Sequence, residues 1–111
     1  LAIMSSGMNG QNFSFNGYLP IDKKKREKAL LKYQHNSLKK NQAQAFIETP
    51  YRSQLLFTEM IKVLNSNTSL CIACDLSLTS EYIKTKSIIE WKKNKLNISK
   101  RPCIFIIERS F

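Results

Sequence analysis

Hydrophobic and polar positions along this chain switch between a period of two and a period near three and a half, and the switches mark its elements. Phe13-Ser14-Phe15-Asn16-Gly17-Tyr18-Leu19-Pro20 alternates aromatic with polar residues, which predicts a strand. Gly17 permits a bulge or a close backbone approach within it, and Pro20 ends it. Asp22 suits an N-cap. Between Lys23 and Lys40 eight basic residues surround Leu30, Leu31, Tyr33 and Leu38, the pattern of a surface helix, with a break expected around His35-Asn36-Ser37. Ala43 to Ile47 is a second strand. Behind it Leu55, Leu56, Phe57, Met60, Ile61, Val63 and Leu64 recur at spacings of three and four, a helix with a broad apolar face. Asn65-Ser66-Asn67 closes that helix. Thr68 to Ala73 reads as a buried strand and Glu81 to Lys86 alternates like another. Ser87 can cap a short helix from Ile88 to Asn94, and Pro102 to Ile107 is a last, wholly apolar strand.

Buried strands with intervening helices mean α/β. Two strands adjacent in sequence without a helix between them predict a mixed, mostly parallel sheet of about five strands flanked by helices. The 111 residues fit a single domain. The chain opens on Leu1 rather than Met, with what reads as the last turn of a helix ended by Gly7, and is expected to be a fragment cut just upstream of a domain.

One stretch stands out: Phe46-Ile47-Glu48-Thr49-Pro50-Tyr51-Arg52. An apolar strand runs straight into a carboxylate, a hydroxyl, a proline and an arginine, and a helical pattern follows. Pro50 suits a first helical turn and Thr49 a cap. Polar groups at the carboxyl end of a buried strand are where open α/β sheets hold ligands. Asp75 follows the next buried strand, so parallel alignment places Glu48 and Asp75 at one edge of the sheet. Two such carboxylates serve as acid and base, bind a ligand's amine or hydroxyl, or simply accept hydrogen bonds from nearby backbone.

Composition then narrows the partners. Eighteen basic against eight acidic residues give a net charge of +10, a balance that favours polyanions, nucleic acid first, and that a solvated basic surface also produces. No apolar run approaches the roughly 20 residues of a membrane helix. Cys71 and Cys74 form a C-x-x-C, but the spacer is strand-like, so the two side chains face opposite sides of a sheet. The cysteines are expected to be buried free thiols in a reducing cytoplasm, with no metal site. The three glycines, Gly7, Gly10 and Gly17, supply no phosphate-binding loop. The lone His35 supports no Ser-His-Asp set.

Three of these stretches together resemble a known family. Phe15-Asn16-Gly17-Tyr18-Leu19-Pro20, Phe46-Ile47-Glu48-Thr49-Pro50-Tyr51-Arg52 and Ala73-Cys74-Asp75-Leu76-Ser77 with Glu81 beyond it occur in this order, at similar spacing, in the C-terminal domain of the ribosomal RNA small-subunit methyltransferase I family, within the tetrapyrrole methylase superfamily. The resemblance spans nearly the whole chain. It implies the C-terminal half of a two-domain, S-adenosylmethionine-dependent enzyme that 2′-O-methylates a cytidine ribose of 16S ribosomal RNA. The N-terminal domain, absent from this chain, would supply the other half of the cofactor cleft, and the fragment alone would be inactive.

By matching motif positions, Ile47, Glu48, Thr49, Asp75, Leu76 and Ser77 would line the cofactor cleft. Gly17, Tyr18 and Pro20 would lie toward the substrate, with Tyr51 and Arg52 fixing the loop. Ribosomal RNA, the chain's own N-terminal domain and a second copy in a homodimer are the implied partners, in the cytoplasm. Tyr51 stands where many members have His, and Cys74-Asp75 where they have Arg-Glu, so the target nucleotide is open. Two other readings compete: a methylase of the same superfamily acting on a small tetrapyrrole-like substrate, and a basic RNA-docking or dimerisation module without chemistry.

Overall fold

The computed structural model describes residues 12–75, 79, 81–93, 96–98 and 101–109. Its elements are β1 (Phe13–Tyr18), α1 (Lys23–Lys40), β2 (Ala43–Glu48), α2 (Ser53–Val63), β3 (Ser69–Cys74), β4 (Tyr82–Ser87), α3 (Ile88–Lys93) and β5 (Cys103–Glu108). This is the α/β order expected from the hydrophobic pattern. The helix end expected before Gly7 lies outside the described residues.

The sheet is mixed and five-stranded, in the order β1-β2-β5-β3-β4. It is not mostly parallel by pairing. Only β1 and β2 pair parallel, whereas β2–β5, β3–β5 and β3–β4 are antiparallel. The reason is non-local: β5, the last strand, returns between β2 and β3 and runs against both. Since β2 and β3 are each antiparallel to β5, they still point the same way, and their carboxyl ends share one edge of the sheet. Gly17, at φ +66, takes up a register shift between Phe15 and Tyr18, the bulge that the glycine permits.

Residue alternation separates two faces of the sheet. Phe46, Leu70, Ile72, Phe105 and Ile107 point to the face covered by all three helices, where they join Leu30, Phe57, Met60 and Trp91 in the main core. Phe57 and Trp91 meet edge to face at 5.6 Å, and the Trp91 indole N–H donates to the Leu70 carbonyl at 2.9 Å. Ala43, Ala45, Cys71, Ala73 and Ile106 form a smaller cluster on the other face. Leu55, expected in the apolar stripe of α2, is instead 48% exposed.

Three local expectations change on contact with the fold. The break expected at His35-Asn36-Ser37 is absent, and α1 runs unbroken for 18 residues. Ser37 is fully buried there and its hydroxyl accepts the Arg109 N–H at 2.9 Å, so tertiary contact outweighs weak helix propensity. Thr49 does not cap α2. Residues 49–52 form a turn closed by the Arg52 N–H donating to the Thr49 carbonyl at 3.0 Å, and α2 begins only at Ser53. Nor are all the cysteines free thiols. The register sets Cys74 directly opposite Cys103 with Cα atoms 4.3 Å apart, and the two form a disulfide. Cys71, on the opposite face as alternation requires, stays a buried thiol whose pKa burial pushes up.

Candidate functional site

The shared edge of β2 and β3 opens into a cleft of about 500 Å³. Glu48 ends β2 opposite Cys103, the first residue of β5, and Cys103 in turn stands opposite Cys74, the last of β3. Asp75 follows immediately. The ends of three neighbouring strands thus build one wall.

Glu48 is 7% exposed. Its Oε1 accepts the Thr49 backbone N–H at 2.7 Å and an Arg52 guanidinium N–H at 3.2 Å. That i,i+4 spacing falls across the 49–52 turn, which folds Arg52 back over the strand end. Asp75 adopts φ 52, a left-handed conformation that Asp tolerates better than most residues. Its backbone N–H donates to the Pro102 carbonyl at 3.2 Å, and its Oδ2 accepts the Arg101 Nε–H at 2.7 Å. Each strand-end carboxylate is therefore fixed and charge-compensated by an arginine. Such fixed oxygens suit acceptance of hydrogen bonds from a ligand's amine or hydroxyl.

The remaining lining is mainly apolar: Ile47, Pro50, Ala73, Pro102 and Ile104, with Tyr18 at the mouth, 60% exposed. Of the residues singled out from the sequence, Ile47, Glu48, Thr49, Asp75 and Tyr18 meet in this cleft. Arg52 stands behind it through Glu48. Gly17 and Pro20 flank Tyr18 in sequence without lining the cleft, and the Pro20 carbonyl accepts from the Arg26 guanidinium at 3.4 Å. Tyr51 is 87% exposed on the turn. Leu76 and Ser77 lie outside the described residues.

Arg101, Pro102 and Cys103 escaped sequence reasoning. Arg101 reaches Asp75 across 26 positions, and its guanidinium sits 5.9 Å from the centre of the Tyr82 ring. The available signal was its position just before a buried strand, which becomes informative only once β5 is known to lie beside β3.

No family model matches the chain. It is 32% identical over 114 residues to ribosomal RNA small subunit methyltransferase I of Buchnera aphidicola subsp. Schizaphis graminum, a match covering 99% of this chain and 38% of that protein. The protein of the same name from Vibrio cholerae serotype O1 is 28% identical over 109 residues, covering 96% of this chain and 36% of that one. The chain thus spans less than two fifths of the curated relatives it matches. Among solved structures, the methyltransferase CobJ aligns at a TM-score of 0.56 with 14% identity, over 97% of this chain and 46% of that one. At that identity the likeness shows a shared α/β fold.

Proposed function

We propose that this chain, similar over nearly all of its length to ribosomal RNA small subunit methyltransferase I, is the C-terminal half of a two-domain methyltransferase, supplying one wall of the cleft for S-adenosylmethionine. The observation that carries this reading is the convergence of Ile47, Glu48, Thr49 and Asp75 on a single cleft at the carboxyl ends of β2 and β3. The lining fits that donor. It carries no phosphate, so no glycine-rich cradle is required, and its amine, hydroxyls and sulfonium suit an apolar slot with two fixed carboxylates.

When bound, S-adenosylmethionine supplies an electrophilic methyl group. The chain's own residues position and shield. Ile47, Pro50, Ala73 and Ile104 keep water from the slot, Glu48 and Asp75 accept hydrogen bonds from the donor, and Arg52 and Arg101 hold those carboxylates in place. Tyr18, at the mouth, lies on the substrate side. Orientation of this kind accounts for much of the rate in a displacement between two bound groups. The substrate in this reading is ribosomal RNA, methylated at a cytidine 2′-oxygen of 16S RNA. The intact protein acts as a homodimer in this reading.

Calorimetric titration of the intact two-domain protein with S-adenosylmethionine tests the cleft. Micromolar binding, weakened about tenfold or more by Glu48→Gln and by Asp75→Asn, is expected from the loss of charged acceptors. A well-folded intact protein that binds no donor would overturn the proposal.

A further inference from the structure

Among the described residues α1 carries the densest run of cations, seven lysines and Arg26, and its lysines enter no ion pair. Ion pairs among the described residues include Arg26–Glu59, Arg52–Glu48 and Arg101–Asp75. The arginines take the carboxylates, and no lysine of α1 takes part. Every lysine of α1 is exposed. The buried stripe is Arg26, Leu30, Gln34 and Ser37. At about 100° per residue, Lys25, Lys28, Lys32 and Lys39 all fall within an arc of about 60° directly opposite Leu30, and they extend along about 21 Å of helix.

The first turn adds a second sign. It holds Lys23, Lys24 and Lys25 and no acidic residue. Cations there oppose the helix dipole, so their placement runs against the stability of α1. The helix end itself is taken by the N-cap Asp22, whose carboxylate accepts the Lys25 N–H at 3.0 Å, so only the lysine side chains are offered outward. Only four residues separate Lys23 from Tyr18 at the mouth of the cleft. The basic ridge lies on the helix-covered side of the sheet, whereas Ala73 and Ile104 of the cleft belong to the opposite face.

We infer that the outer face of α1 is a docking track for the phosphate backbone of single-stranded RNA, the polyanion that its row of exposed lysines complements. The track is measurable without the methyltransferase reading. Each phosphate contact releases counterions, so the affinity of a single strand falls with salt at a log–log slope of about −0.7 per contact.

The test is fluorescence anisotropy of the intact protein with a labelled oligouridylate over a range of salt. The triple variant Lys28→Gln/Lys32→Gln/Lys39→Gln is compared with a control triple, Lys84→Gln/Lys92→Gln/Lys93→Gln, on β4 and α3. The α1 triple is expected to flatten the slope by about 2, and the control triple by much less. Lys24→Glu/Lys25→Glu should weaken RNA binding while raising the thermal midpoint, a combination that a purely structural role for these lysines does not produce. Equal slopes for the two triples would overturn the inference, as would tighter binding to phosphatidylserine vesicles than to RNA at the same salt. Donor titration separates the two readings: a protein that binds S-adenosylmethionine but shows an unmoved RNA slope loses the track and keeps the cleft.

Discussion

At the scale of single residues, the costliest change lies away from the cleft. Arg26 is 6% and Glu59 7% exposed, and the guanidinium meets the carboxylate through two N–H donors while a third reaches the Ile21 carbonyl at 2.6 Å. Removing one partner strands a buried charge, so Glu59→Ala is expected to cost about 3–5 kcal/mol in urea unfolding. The pair also sets an acid limit. The hydrogen bond from Arg26 holds the Glu59 carboxyl below its ordinary pKa. A carboxyl lowered in the folded state stabilises the fold in full above its unfolded pKa of about 4.3 and ceases to do so as pH falls through the folded value. The urea midpoint should therefore hold from neutrality to about pH 5 and drop below about pH 4, less steeply in Glu59→Gln. Gly17→Ala gives a milder effect: open space surrounds the position, but φ +66 costs a residue with a Cβ about 1–2 kcal/mol. Of these residues, the glycine's special role was legible in its motif and the strand-end carboxylates in their context. The Arg26–Glu59 pair was not, because 33 positions separate its members and nothing local distinguishes Arg26 from the lysines around it.

Between elements, the pairing of Cys74 with Cys103 clasps β3 to β5 at the wall of the cleft. Closing a loop of 29 residues restricts the unfolded chain by about 3–4 kcal/mol. Reduction with dithiothreitol, or Cys74→Ser, should lower stability by about that amount. Alkylation of the unfolded, unreduced chain should label one cysteine, Cys71, and of the reduced chain all three. Labelling of three without reductant would remove the clasp. Elements themselves were readable because each is specified by its own periodicity: Ser87 and Glu90, for example, exchange the bonds of a capping box at the start of α3. Strand neighbours were not readable. Whether Cys74 faces Cys103 depends on β5 entering between β2 and β3, a choice made by whole-sheet packing. The same insertion explains why the two carboxylates share an edge although the sheet is mostly antiparallel by pairing.

At the scale of the molecule, charge and cleft offer different things to the proposed partners. The net charge of +10 supplies a long-range attraction that is insensitive to sequence and steep in salt, whereas the cleft supplies fixed acceptors at one sheet edge. Matched relatives are more than twice as long as this chain, and in the proposed architecture the opposite wall of the cleft belongs to the other domain. Methyl transfer requires the donor to be enclosed and aligned with the attacking oxygen; a single wall leaves water in the slot and the donor free to turn. The 111-residue chain is therefore expected to fold, to bind RNA with its salt slope intact, and to transfer no methyl group to small-subunit ribosomal RNA. The two-domain protein should incorporate tritium from labelled S-adenosylmethionine under the same conditions. RNA binding by the short chain with no turnover would assign recognition and chemistry to separable parts of the protein. Turnover by the short chain would show that one wall is enough and would discard the shared-cleft architecture.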